Sequence, residues 1–129
     1  MKKIALLLSF AVINFFSCTK SSTTQNSSLI GRWTLTETLN DPGDGSGKWM
    51  PVDNSADYIQ FNADGSAESP SNPYNGGVER YEVPADSTLI LFYQAGQQVS
   101  YRYYIDGTTL AITGGCIEAC GTKYSKVEH

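Results

Sequence analysis

Two cysteines four residues apart, in the stretch CIEAC from Cys116 to Cys120, are the residues of this chain best spaced to react with one another. A single turn of chain brings Cα atoms at that separation to about 6 Å, within disulfide range. Closing so short a loop stabilises by only about 2 kcal/mol on the chain-entropy estimate, so its effect would be to fix the connection into the following strand. Two readings compete with the disulfide. A thioredoxin-like redox centre has two intervening residues, and here there are three. A metal site needs two further ligands, and Glu118 with the single His129 at the chain end makes a poor set. The disulfide is the favoured expectation.

Other chemistry has less to stand on. With one histidine, at the chain end, neither a Ser-His-Asp nor a Cys-His arrangement can be assembled. Acid pairs work without histidine in glycosidases, which leaves Glu37 and Glu79 as a minority hydrolase reading; the chain is expected not to be an enzyme. The acidic stretch DPGDGSGKWMPVD, from Asp41 to Asp53, resembles a calcium loop, but counted from Asp41 it has Gly43 and Gly45 at positions 3 and 5 and Val52 at position 12. An EF-hand needs oxygen ligands at all three. The stretch reads instead as a long connection between strands, with Trp49 and Met50 as candidate lid residues.

The elements that must position these residues begin after a leader. Lys2 and Lys3 precede an apolar run from Ile4 to Phe16 that ends in Ser17-Cys18, too short to span a bilayer and shaped as a secretory signal. Its end resembles a bacterial lipobox, so residues 1–17 are expected to be removed and Cys18 to be lipidated; the competing reading is an ordinary secretory signal with a leftover cysteine. Residues 18–28 are polar and read as a tether, and residues 29–129 as one domain. Loss of Lys2 and Lys3 takes the formal net charge from −4 to −6, a surface that does not attract nucleic acid.

Within the domain, apolar and polar residues alternate over short runs with no sustained helical period. Trp33, Leu35 and Leu39 share a face of the first strand, with Glu37 on it, and Ile59 and Phe61 share one in YIQF. VERYEV, TLILFY and QVSYRYYI follow, Asp106-Gly107 turns into TTLAIT, and TKYSKVE closes the chain. About eight short strands with hairpin connections predict an all-β fold, a single antiparallel up-and-down barrel, since closure removes exposed edges.

In their order, Gly31-Arg32-Trp33, the Asp41–Gly47 loop with Pro51-Val52, the Phe61-x-x-Asp64-Gly65 turn, Tyr103-x-Ile105-x-Gly107, Leu110-x-Ile112 and CIEAC with Tyr124 resemble the small lipocalin-like domain lipoproteins of Gram-negative bacteria. The resemblance implies a lipocalin-like barrel, lipid-anchored in the cell envelope, at the outer membrane. Gly31-x-Trp33 further resembles the motif that opens lipocalin barrels, which implies that Trp33 closes one end beneath a cation from Lys123 or Lys126, a contact worth roughly 0.5–2 kcal/mol.

Eight tyrosines, five phenylalanines and two tryptophans give 12% aromatic residues, enough to line a cavity with apolar walls and orienting hydroxyls or to fill it with packed rings. The expected ligand is a small hydrophobic molecule or lipid, bound by a monomer without a cofactor. Its expected wall is Leu35, Glu37, Ile59, Phe61, Tyr81, Leu91, Tyr101 and Tyr103, with Arg102 a weaker polar contact on the opposite face. The alternative is an interaction module with a filled core, which docks protein or glycan through a patch of Trp49, Tyr74 and Tyr104.

Overall fold

The computed structural model describes residues 26–128. The leader, Cys18, most of the tether and His129 lie outside them. Nine strands form one antiparallel sheet: β1 (Gly31–Asn40), β2 (Lys48–Pro51), β3 (Tyr58–Phe61), β4 (Ala67–Glu68), β5 (Val78–Ala85), β6 (Thr88–Tyr93), β7 (Gln98–Asp106), β8 (Thr109–Thr113) and β9 (Cys120–Lys126). Their order is β4-β3-β1-β9-β8-β7-β6-β5. Pairing of the first strand with the last curls the sheet into a barrel, and Tyr81 N–H donates to the Gly65 carbonyl at 3.0 Å across the seam between β4 and β5. The strand beyond the expected eight is β2, KWMP, which contains the lid candidates Trp49 and Met50; it pairs with β1 from Glu37↔Pro51 to Asn40↔Lys48.

Local chemistry sets the turns. Gly107 alone takes positive φ (56°) in the β7–β8 hairpin, the pattern of a type II′ turn, one residue beyond the expected Asp106-Gly107. In the β3–β4 hairpin the Asp64 carboxylate accepts from Ser66 N–H and Oγ–H at 2.9 and 2.6 Å. Those bonds, the side-chain one first, hold its carboxyl below the usual range.

One end of the barrel is solid. Trp33 and Leu29 are fully buried, and the indole N–H donates to the Leu29 carbonyl at 2.8 Å. Lys126, directly across the β1–β9 pairing, sets its ammonium 5.0 Å from the centre of the Trp33 ring and donates to the Ser28 carbonyl at 3.1 Å. Of the two cations expected for Trp33, Lys126 takes the place; Lys123 lies 4.3 Å over Trp49 instead. Asn26 to Ser28 were expected to belong to the tether, but Asn26 donates to the Tyr103 hydroxyl at 3.1 Å and Leu29 N–H bonds back to the Asn26 carbonyl at 2.9 Å. Leu29 is the buried residue of this segment; Asn26 to Ser28 stay exposed and are held against the closed end by these bonds.

Phe61 and Tyr81 meet edge-on at 4.9 Å in the same half, and Tyr81 donates its hydroxyl proton to the Asn62 carbonyl at 2.9 Å. Removing the Trp33 ring would leave a cavity here. Trp33→Ala is expected to cost about 3–5 kcal/mol in equilibrium urea unfolding; a cost below about 1 kcal/mol would contradict Trp33 as the floor of the barrel.

Candidate functional site at the open end

The far end differs because β1 changes register. Leu35 opposes Tyr124 and Glu37 opposes Lys123, so Thr36 is an extra residue, a β-bulge held by its Oγ donating to the Lys123 carbonyl at 3.2 Å and by Val52 N–H donating to the Thr36 carbonyl at 2.8 Å. A bulge inverts the alternation beyond it. Thr38, paired with Thr122, now faces in, while Glu37 and Leu39 face out. The Glu37 carboxylate is salt-bridged to Lys123 at 2.8 Å, and Leu39 opposes Trp49. Trp49 lies across Gly121, where a Cβ would come within 2.9 Å of its ring.

With threonines in place of large side chains, the open end holds two adjoining cavities. One, of about 410 Å³, is lined by Thr38 and its neighbour Leu39, by Leu91, Ile112 and Tyr101, and by the Cys116 and Cys120 side of the last loop. The other, of about 300 Å³, lies against Leu35, Ile59, Val78 and the 69–72 loop. Leu91, Tyr93, Thr122 and Tyr124 border both. The Tyr93 and Tyr101 hydroxyls are 2.8 Å apart. Burial is the first cause that raises the Tyr93 and Tyr124 phenols above their usual value, so both are neutral hydrogen-bonding groups at physiological pH.

Two loops make the rim. Cys116 and Cys120 form a disulfide, with Cα atoms 6.3 Å apart. The acidic loop is fastened to that connection by Asp41 N–H donating to the Ala119 carbonyl at 3.1 Å. The Asp41 carboxylate organises its own loop, accepting from the N–H groups of Gly43 and Gly45 at Oδ1 (2.8 and 3.1 Å) and from Gly47 at Oδ2 (3.0 Å). Glycine is required at 47, because a Cβ there would fall 2.7 Å from the Asp41 Cβ. The acid that suggested calcium is thus saturated by backbone donors.

Of the wall residues read from sequence, Leu35, Ile59, Leu91 and Tyr101 come together on these cavities. Phe61 and Tyr81 are buried in the solid half, and Tyr103, also buried, borders the outer clefts beside Asn26 rather than these cavities. Glu37 is turned outward by the bulge, and Trp49 and Met50 line neither cavity. Glu79 is on β5, separated from β1 by β3 and β4, roughly 14 Å at the usual strand spacing, so Glu37 and Glu79 do not form a catalytic pair. Tyr104, in the half of β7 nearest the closed end, does not share a patch with Trp49 and Tyr74 at the open end. Tyr93 belongs to the site and shares the alternation of Leu89 and Leu91; Thr38 and Thr122 join it through a bulge that alternation alone does not reveal. Set against family models, curated proteins and solved structures, the chain matches none.

The Gly43 N–H first, then that of Gly47, keeps the Asp41 carboxyl below its usual 3.8. A lowered native value means that the ionised form stabilises the fold fully above the unfolded-state value and loses that effect as pH falls through the native one. Asp41→Asn is therefore expected to lower Tm at pH 7, with the gap from wild type narrowing steadily below about pH 4. A gap independent of pH would show that the charge is not what holds the loop.

Proposed function

We propose that this chain is a lipid-anchored envelope protein of the lipocalin-like kind that binds a small, largely apolar molecule in the open end of its barrel. The observation that carries the reading is the larger cavity. At about 410 Å³ it falls in the lower part of the range for ligand pockets, roughly 300–1,000 Å³. Leu91 and Ile112 supply apolar wall, and the hydroxyls of Tyr93, Tyr101 and Tyr124 supply a few hydrogen-bonding groups. The solid half beneath supports the reading as well, since Trp33 and Phe61 give the pocket a rigid floor. The anchor rests on the leader and Cys18, which would hold the domain at a membrane where apolar molecules are concentrated.

Native mass spectrometry of the purified protein is expected to show a co-purified lipid or hydrophobic metabolite, released by organic extraction. Thr122 borders both cavities, so Thr122→Trp should fill them and weaken binding of an environment-sensitive apolar dye by roughly tenfold or more, with cooperative unfolding retained. Unchanged dye affinity in that variant would place the binding elsewhere.

A further inference from the structure

The barrel wall has a slot beside the larger cavity. β7 pairs with β6 from Gln98 to Arg102 and with β8 from Arg102 to Asp106. Arg102 is therefore the last residue of β7 with a partner on β8, and above it the edge carrying Ser100 and Tyr101 has no strand beside it on that side. β8 stops at Thr113, opposite Arg102, and the chain leaves through Gly114. A concavity of about 390 Å³ lies over this slot on the outer surface, lined by Thr88, Ser100, Tyr101, Arg102, Thr113 and Gly114. Tyr101 and Gly114 also line the inner cavity. The chain itself passes this edge at Gly115, where a Cβ would fall 2.7 Å from the Tyr101 ring. One on Gly114 would meet nothing within 4 Å, so the rim here is two glycines without side chains.

The outer concavity is made of donors. Thr88 and Thr113 flank Arg102 directly across the two neighbouring strands, and Ser100 is two residues up on the same face. Three hydroxyls thus surround one guanidinium. Arg102 also stands apart from most cations of the described residues. Arg32, Arg80, Lys123 and Lys126 each lie over an aromatic ring, whereas Arg102, like Lys48, has neither a ring nor a carboxylate partner among those residues. A planar guanidinium with hydroxyl donors beside it fits the paired oxygens of a carboxylate or phosphate.

We infer that the ligand is an amphipathic molecule with one anionic head, its apolar body in the open-end cavity and its carboxylate or phosphate at Arg102, Thr88, Ser100 and Thr113, reached over the rim at Gly114. The inference rests on the apolar-ligand reading and adds the chemical class of the head. It also gives Arg102 a role that an arginine on the outer face lacks if the ligand is confined within the wall.

Calorimetric titration at neutral pH with decanoate, decyl phosphate and decanol, each below its aggregation limit, tests it. At least one anionic probe is expected to bind more tightly than decanol by roughly tenfold or more, and the tighter of the two identifies the head. Arg102→Gln, at an exposed position, should bring that ratio close to one, and added salt should narrow it in the wild type. A ratio near one in the wild type, or one that survives Arg102→Gln, would overturn the head-group assignment while leaving the apolar pocket in place. Failure of all three probes to bind would defeat the pocket reading and this inference with it.

Discussion

Thr36 is one residue more than β9 can match, and the two ends of the barrel differ because of it. Before the bulge, β1 pairs with β3 and sends Trp33 and Leu35 inward. Beyond it, the same edge pairs with β2, and the inward residue opposite Thr122 is Thr38. Had the alternation continued unbroken, Glu37 and Leu39 would face the interior. A carboxylate would then sit in an apolar space, where burial without a partner is costly. The bulge instead delivers Glu37 to Lys123 on the outer face, beside Trp49, and leaves small side chains around a space the protein does not fill.

Each end of the barrel follows from how its side chains solve the burial problem. At the closed end, large rings are buried with their polar atoms satisfied: the indole N–H by Leu29, the Tyr81 hydroxyl by Asn62, the Tyr103 hydroxyl by Asn26. Interiors packed to that density tolerate few voids. At the open end, tyrosine hydroxyls meet one another and the backbone loops close the rim. Asp41 replaces side-chain packing with a set of backbone hydrogen bonds, and the Cys116–Cys120 disulfide limits the freedom of the connection that Asp41 holds. Rigidity in the floor and order in the rim together let a cavity persist between them.

Much of this was legible in the sequence, for a physical reason in each case. β6, β7 and β8 alternate, so the inward set Leu89, Leu91, Tyr103, Leu110 and Ile112 follows from period two alone. β5 instead shifts register after Val78 and buries Val78 together with Tyr81 and Val83. The cysteine spacing anticipated the disulfide, and the barrel followed from the number of short strands. What alternation cannot show is a change of phase. The bulge at Thr36 depends on β9, more than eighty residues away, and it reassigns Glu37, Thr38 and Leu39 together. KWMP carries a lysine and a proline, which suit an exposed edge better than a central strand, so β2 did not announce itself. The division into a filled half holding Phe61, Tyr81 and Tyr103 and a hollow half holding Tyr93, Tyr101 and Tyr124 is likewise a property of strand stagger, invisible in any one strand.

The central claim is that this barrel is solid at the Trp33 end and hollow at the end bordered by Thr38 and Thr122. The direct measurement is NMR of methyl and aromatic groups as a small apolar probe, xenon or decanol, is added. Shifts are expected at Leu91, Ile112, Tyr93, Tyr101 and Tyr124, with Leu29, Trp33, Phe61 and Tyr103 unmoved. Shifts centred on the Trp33 end, or none within the barrel at saturating probe, would contradict the account.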